Sequence, residues 1–214
     1  MAVTKRIGRA LSAKLTRVTL DRFILSHASN GRTLDLGAQN GPYASHFPRR
    51  VALDLRPASG VHVIGDAQAL GLADASFDVV LCTEVLEHVP EPQRAVDEMF
   101  RVLKPGGRLL LTTRFLFPIH DAPHDYFRYT KYGLRHLFET NGFDVVEITA
   151  LSGFWLTFGT LFVYNLHRLH RGPLRWIPII PAIGLVVQGA SWLLDRLDRT
   201  EQWTWMYGVV ARAR

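Results

Sequence analysis

Three acidic residues close short apolar runs in the first third of the chain. Asp35 lies in Thr33-Leu34-Asp35-Leu36-Gly37, Asp54 follows Val51-Ala52-Leu53, and Asp66 follows Val61-His62-Val63-Ile64-Gly65. A carboxylate only accepts hydrogen bonds. An acid at a strand end can therefore hold the two hydroxyls of a ribose, and another can hold the amino group of an adenine. Asp54 suits the first task and Asp66 the second. Glycine lets a backbone approach a ligand closely, and a helix starting just beyond it offers free amides. Gly37 and Gly41, bracketing Ala38-Gln39-Asn40, fit that need. The set reads as a nucleoside crevice.

A second constellation follows at Pro118-Ile119-His120-Asp121-Ala122-Pro123-His124-Asp125-Tyr126-Phe127-Arg128-Tyr129. Taking a proton from a hydroxyl calls for a histidine or a carboxylate. His124 and His120 are the preferred bases, with Asp121 and Asp125 behind them. Tyr126, Arg128 and Tyr129 could bind an acidic or sugar-like acceptor, although the aromatic rings could equally pack under the next helix. His88 reads as a structural hydrogen-bonding residue. Two histidines and two aspartates so close together also resemble metal ligands. No other ligand cluster supports that reading, and no metal is expected.

These groups need a scaffold that delivers them to one edge. Apolar runs at 33–36, 51–55, 61–64, 78–83 and 108–113 read as strands, and the fourth has the continuous apolar character of a strand buried on both faces. Helices are expected from the glycine turn through about 47, near 57–60, and over 92–103. The last has Ala95, Val96, Met99, Phe100 and Leu103 on one face, and Lys104-Pro105-Gly106-Gly107 stops it. Thr130 looks like an N-cap for a helix to about 140, ended by Asn141-Gly142. Strands are expected over 143–149 and 203–211. Alternating strands and helices with short links imply a mainly parallel sheet, whose ligands bind at the carboxyl ends where the winding reverses.

Asp35-Leu36-Gly37 with Gly41, Asp54, Gly65-Asp66-Ala67, Phe77-Asp78-Val79-Val80, Glu84-Val85-Leu86-Glu87-His88-Val89 and Leu103-Lys104-Pro105-Gly106-Gly107 occur in this order. They resemble successive motifs of the class I S-adenosylmethionine-dependent methyltransferases, most closely the type 11 group. The resemblance covers about residues 31–149, and the final strand extends it to the C-terminus. It implies an α/β, Rossmann-like, seven-stranded, mainly parallel sheet with the last strand antiparallel. It implies S-adenosylmethionine as cofactor, with Asp35 organising the glycine turn near the methionine moiety and Gly37 and Gly41 approaching the cofactor. Asp54 and Leu55 would take the ribose end, Asp66 and Ala67 the adenine, and Thr83 and Glu84 the methionine end. Where the family usually has a third glycine this chain has Gln39, which either widens the turn or itself touches the cofactor. Methyl transfer from a sulfonium is an in-line displacement in which the protein supplies position and electrostatics.

The remaining chain constrains the acceptor. Residues 5–18 have the pattern of a basic amphipathic helix with Ile7, Leu11, Leu15 and Val18 on one face, and 20–28 reads as a second short helix. Between the last two strands lies an apolar segment of about fifty residues, longer than an ordinary connection. Trp155, Arg171, Arg175, Trp176, Trp192 and Arg196 edge it, as residues at a lipid headgroup boundary do. A strand returning to the same sheet excludes a single membrane crossing. A substrate cap, a membrane-surface hairpin and a dimer interface all remain open. The divisions are then 1–30, a core at 31–152, the apolar helical insertion at 153–199, and a final strand at 200–214. In 214 residues, 48% are apolar and 21% charged, which is a globular composition. The net charge of +6 is peripheral rather than beside the crevice, so nucleic acid is not an expected partner. One cysteine, Cys82, excludes an intramolecular disulfide. No signal peptide is apparent, which points to the cytoplasm, possibly the inner face of the membrane in keeping with the hairpin. The expected activity is O-methylation of a hydrophobic, glycan or lipid-linked small molecule, with peripheral membrane contact and a homodimer as further options. The alternatives are a soluble secondary-metabolite methyltransferase with a closed cap, and a non-catalytic binding module on the same fold.

Overall fold

A computed structural model describes residues 15–39, 41–169 and 179–214. The chain divides into two compact units. One comprises Phe23–Thr149 with Met206–Arg214; the other comprises the stretch up to Arg22 with Ala150–Trp205.

The first unit is built on a seven-stranded sheet. Its strands are β1 (Thr33–Leu36), β2 (Arg50–Asp54), β3 (Val63–Ile64), β4 (Phe77–Thr83), β5 (Leu103–Arg114), β6 (Phe143–Ala150) and β7 (Met206–Ala213). Their order is β3-β2-β1-β4-β5-β7-β6. β1 to β5 pair in parallel with their neighbours, and β7 runs antiparallel to β5. The expected mainly parallel sheet with an antiparallel last strand is therefore present. The chain leaves β1 toward β2 and β3, then crosses back to β4 on the other side of β1, so the winding reverses there. All four residues of β1 are buried, as are Val79, Val80, Leu81 and Cys82 of β4 and Leu109, Leu110 and Leu111 of β5. Strands covered on both faces read as unbroken apolar runs for this reason.

Helix α2 (Pro92–Val102) buries Ala95, Val96, Met99 and Val102. It begins with proline at a position where the missing amide costs nothing. It ends one residue earlier than expected, because Leu103 already pairs with Phe77 as the start of β5. Helix α3 (Lys131–Thr140) is capped by Thr130, whose hydroxyl accepts from Gly133 N at 3.1 Å. Gly142 follows at φ +86, and a Cβ there would lie 3.1 Å from the Phe100 ring.

Several local expectations are corrected. No α-helix follows the glycine turn; only a 3-10 turn forms at Ala44–His46. Gly37, Gln39 and Gly41 all have positive φ, a left-handed conformation that cannot start a right-handed helix. The expected helix near 57–60 is a single turn closed by Val61 N donating to Ala58 O at 3.2 Å. The third strand shortens to two residues, and the seventh starts at Met206 because Trp205 N is drawn to Ser152 Oγ at 2.9 Å. Residues 5–14 of the basic helix lie outside the described residues, with Ile7 and Leu11. From residue 15, one helix α1 (Leu15–Leu25) runs through the break expected between 18 and 20, burying Thr16, Leu20, Phe23 and Ile24 and leaving Val18 44% exposed.

The second unit is a helical hairpin of α4 (Phe154–Leu166) and α5 (Ile179–Leu197). A Cβ on Gly159 would lie 2.0 Å from Ser191 Oγ, and one on Gly184 would lie 3.2 Å from Val163, so the two backbones approach closely in antiparallel order. Gly153 offers no side-chain cap to α4. Asp195 of α5 does so instead, accepting from Gly153 N at 3.0 Å and Leu156 N at 3.2 Å. Helix amides left without such a partner are costly when buried. The Ser152 hydroxyl lies 2.9 Å from Thr157 Oγ1, and Ser152 N donates to Thr204 Oγ1 at 3.2 Å, joining the two ends of the inserted segment. Leu15 N donates to Gln188 Oε1 at 3.2 Å. Asp195→Ala is expected to destabilise the hairpin by about 1–3 kcal/mol, the cost of orphaned buried amides, and Asp195→Asn by less. Scanning calorimetry on both variants checks this; equal melting of Asp195→Ala and wild type would exclude the capping role.

Candidate functional site

Parallel register sets the crevice. Leu36 pairs with Leu53 of β2 and with Cys82 of β4, and Asp54 pairs with Ile64 of β3. The strands therefore end nearly level, and Gly37, Asp54, Gly65 and Thr83 emerge along one edge.

The loop after β1 is held by its own backbone. Gly37 N and Ala38 N both donate to Leu53 O, at 2.9 and 3.3 Å, and Gly41 N donates to Ala38 O at 2.6 Å. At both glycines a Cβ would displace a neighbour. At Gly37 a Cβ would lie 2.2 Å from Val85, and at Gly41 it would lie 2.4 Å from the Arg50 guanidinium. Gln39 has φ +35, so the position normally held by glycine keeps a left-handed backbone without one. Its amide donates to Asp54 Oδ2 at 3.1 Å, and Arg56 N donates to Asp54 Oδ1 at 3.1 Å. Each carboxylate oxygen has a further lone pair to offer a ligand hydroxyl.

Asp35 lies beneath the loop. Arg50 Nη1 donates to its Oδ2 at 2.5 Å, and Arg50 Nη2 reaches Gly60 O at 3.4 Å. Burial pushes the Asp35 carboxyl up from its ordinary range, and Arg50 offsets part of that rise. Arg50, unassigned from sequence, is thus the residue that holds Asp35 beneath the loop. Asp66 shapes its own turn, accepting from Gln68 N at 2.9 Å; Ala67 is half-buried beside it. Leu55 at 65% and Ile64 at 63% exposure form an apolar surface at the ends of β2 and β3. A flat aromatic base would cover them, and Ile64 was not anticipated. Thr83 ends β4. Glu84 adopts φ +55, its amide donates to Thr112 O at 2.9 Å, and it pairs with Arg114 at the end of β5.

The loop at 115–130 is pinned onto the 3-10 turn Leu86–His88. Tyr126 N and Phe127 N donate to Glu87 O at 2.9 and 3.2 Å, and Tyr129 Oη donates to Leu86 O at 3.3 Å. Asp125 grips Arg128 at 2.7 and 2.6 Å and accepts from His120 N at 2.9 Å. Arg128 also donates to the carbonyls of Phe127, Pro118 and Phe117. Arg128 and Tyr129 thus hold the loop rather than reaching outward for an acceptor, and Asp125 is a staple whose carboxyl Arg128 holds below its ordinary range. The two candidate bases separate. The His124 ring is exposed, 3.2 Å from Tyr126 Oη. The His120 ring packs edge-on against His88 at 4.7 Å and Phe117 at 4.8 Å, and burial lowers its pKa, favouring neutral imidazole.

Glu87, quoted above only within a motif, is fully buried. Its Oε2 accepts from Thr113 Oγ1 at 2.8 Å, Arg114 Nε stands 3.8 Å from Oε1, and burial pushes its pKa up. Ligand atoms of Glu87, His88 and His120 lie within 4.8 Å of one another. The sequence offered no pattern for this group, since its members come from two loops joined only by folding.

The description "Methyltransferase domain" fits a family model matching residues 34–111. An uncharacterized methyltransferase of Mycobacterium leprae (strain Br4923) is 28% identical over 209 residues, covering 83% of this chain and 78% of that protein. The ubiquinone biosynthesis O-methyltransferase of Xylella fastidiosa (strain 9a5c) is 38% identical over 104 residues; the match spans 40% of this chain and 42% of that enzyme's length. The fold is similar to that of Haemonchus contortus phosphoethanolamine N-methyltransferase 2 in complex with S-adenosyl-L-methionine. The TM-score is 0.58 at 18% identity, over 94% of this chain and 52% of that one. With the motif series on one sheet edge and the last strand antiparallel, residues 34–111 carry a methyltransferase domain on the fold of a class I S-adenosylmethionine-dependent enzyme.

Proposed function

We propose that the enzyme methylates a hydroxyl of a hydrophobic or lipid-linked acceptor at the inner face of an anionic membrane. The observation that carries this reading is the inverted polarity of the hairpin. α5 turns Gly184, Gln188, Ser191 and Asp195 inward with Ile180, and leaves Ile179, Leu185, Val186, Leu193 and Leu197 exposed, Val186 at 70% and Leu197 at 77%. α4 buries Thr157 and Thr160 together with Leu156 and Val163, while Phe158 and Phe162 are exposed. Such contiguous apolar surface marks a membrane or partner contact. Trp155 and Trp192 stand on it, with the Arg196 guanidinium 4.8 Å over the Trp192 ring. Aromatic and arginine residues together suit the headgroup boundary. Among the described residues no helix is long and apolar enough to cross a membrane, which favours a helix pair lying on the surface. The rim residues Arg171, Arg175 and Trp176 fall outside the described residues. The name of the X. fastidiosa relative supports an oxygen acceptor.

S-adenosylmethionine supplies the methyl group on a cationic sulfur. The chain would hold its ribose through Asp54, its adenine through Asp66, the Ala67 amide and the Leu55–Ile64 surface, and its methionine end beside Gly37, Thr83 and Glu84. Calorimetric titration tests the assignment. Asp54→Ala is expected to weaken cofactor binding by about 1–3 kcal/mol, the scale of lost charged hydrogen bonds; unchanged affinity would reject Asp54 as the ribose ligand. Vesicle flotation of the full chain tests the surface. Wild type is expected to float with vesicles containing phosphatidylglycerol, and a Val186→Asp/Leu193→Asp double variant to remain below. Equal flotation of the two, no flotation of wild type, or a dimer that the double variant dissolves would overturn the membrane reading.

A further inference from the structure

We propose that Glu87, His88 and His120 form a binding site for a divalent transition-metal ion at the carboxyl edge of the sheet. Their ligand atoms already gather within 4.8 Å. Donors about 2.1 Å from a tetrahedral ion stand roughly 3.4 Å apart, so modest ring rotations close the set. Glu87 is 0% exposed, and its Oε1 has no hydrogen-bond partner. A fully buried carboxylate oxygen without a hydrogen bond is costly, and its lone pairs stay available to a ligand although Arg114 lies within ion-pair distance. Arg114 Nε, at 3.8 Å, is too far to hydrogen-bond with it.

The His88 imidazole is oriented in the manner of a metal ligand. His88 Nδ1 lies 2.6 Å from His124 O. A carbonyl oxygen only accepts, so Nδ1 carries the proton and Nε2 keeps its lone pair. His120 Nδ1 lies 3.3 Å from Asp125 Oδ2. The carbonyl behind the His88 ring is the kind of outer support that orients a ligating histidine, and the Asp125 carboxylate stands near His120 Nδ1 without a hydrogen bond to it. Two imidazoles and one carboxylate suit zinc, iron or manganese better than magnesium or calcium. Three protein ligands leave further coordination positions open.

The use of such an ion rests on the hydroxyl-acceptor reading above. An acceptor oxygen bound there would have a lowered pKa. Its O–H bond breaks with the proton passing to solvent, its electron pair forms the new bond to the methyl carbon, and the C–S pair returns to sulfur. The ion would thus take the place of the base sought at His124.

The test is calorimetric titration of chelator-treated full-length protein with zinc sulfate, without cofactor, followed by thermal melting with and without zinc. One site per chain and a raised melting temperature are expected. His120→Ala and Glu87→Gln should each weaken zinc binding by about 10- to 100-fold or more, while His136→Ala, on an exposed stretch of α3, should not. Absence of zinc binding, or binding unchanged in both ligand variants, overturns the proposal. Titration of the same zinc-free samples with S-adenosylmethionine keeps the two readings apart: cofactor binding without zinc binding removes the ion and leaves the methyltransferase reading intact.

Discussion

The structure depends on the parallel pairing of β1 with both β2 and β4. A four-residue strand, fully buried, can satisfy its backbone only through neighbours on both sides. Those neighbours are the strands reached before and after the winding reverses. Once Leu36 is registered against Leu53 and Cys82, the loops carrying Gly37, Asp54 and Glu84 must open on one edge. The cofactor crevice is a consequence of that register more than of any single loop.

The glycine loop is held from below. Asp35 and Arg50 form a buried ion pair, and the Arg50 guanidinium occupies the space that a Cβ on Gly41 would take. Burial disfavours the charged carboxylate, and the guanidinium beside it offsets part of that penalty. The loop amide of Gln39 then binds Asp54, linking the turn after β1 to the carboxylate at the end of β2. The amides of Gly37, Ala38, Gln39 and Gly41 all find acceptors within the loop or on β2, with no helix required.

The two other devices share a logic of buried polar groups answering each other across long sequence gaps. In the hairpin, Asp195 caps a helix that begins at glycine, forty-two residues earlier in the chain. This frees the outer faces of α4 and α5 to be apolar. Beyond β5, Asp125 and Arg128 fold the loop on itself, and the backbone of Glu87 anchors it. That folding brings His120 to His88 and leaves His124 on the surface. Residue types alone made the two histidines equivalent; only packing distinguishes them.

The sequence by itself determined the sheet, the methyltransferase domain and the carboxylates at the strand ends. These follow from local signals: apolar runs, the Pro105-Gly106-Gly107 stop, the Thr130 cap, and acids at fixed offsets from strands. It misjudged the segment after β1, because positive φ at Gln39 cannot be read from a residue that usually avoids it. It missed Arg50, and it quoted Glu87 without giving it a role, because what they do depends on partners fifteen and twenty-six residues away. It marked the apolar insertion but could not say which face would be outward. Only the tertiary structure decided that, since Gln188, Ser191 and Asp195 could be buried once α4 supplied close glycine contacts and amides for Asp195 to accept. Long-range hydrogen bonding, unlike periodicity, has no signature in a linear string.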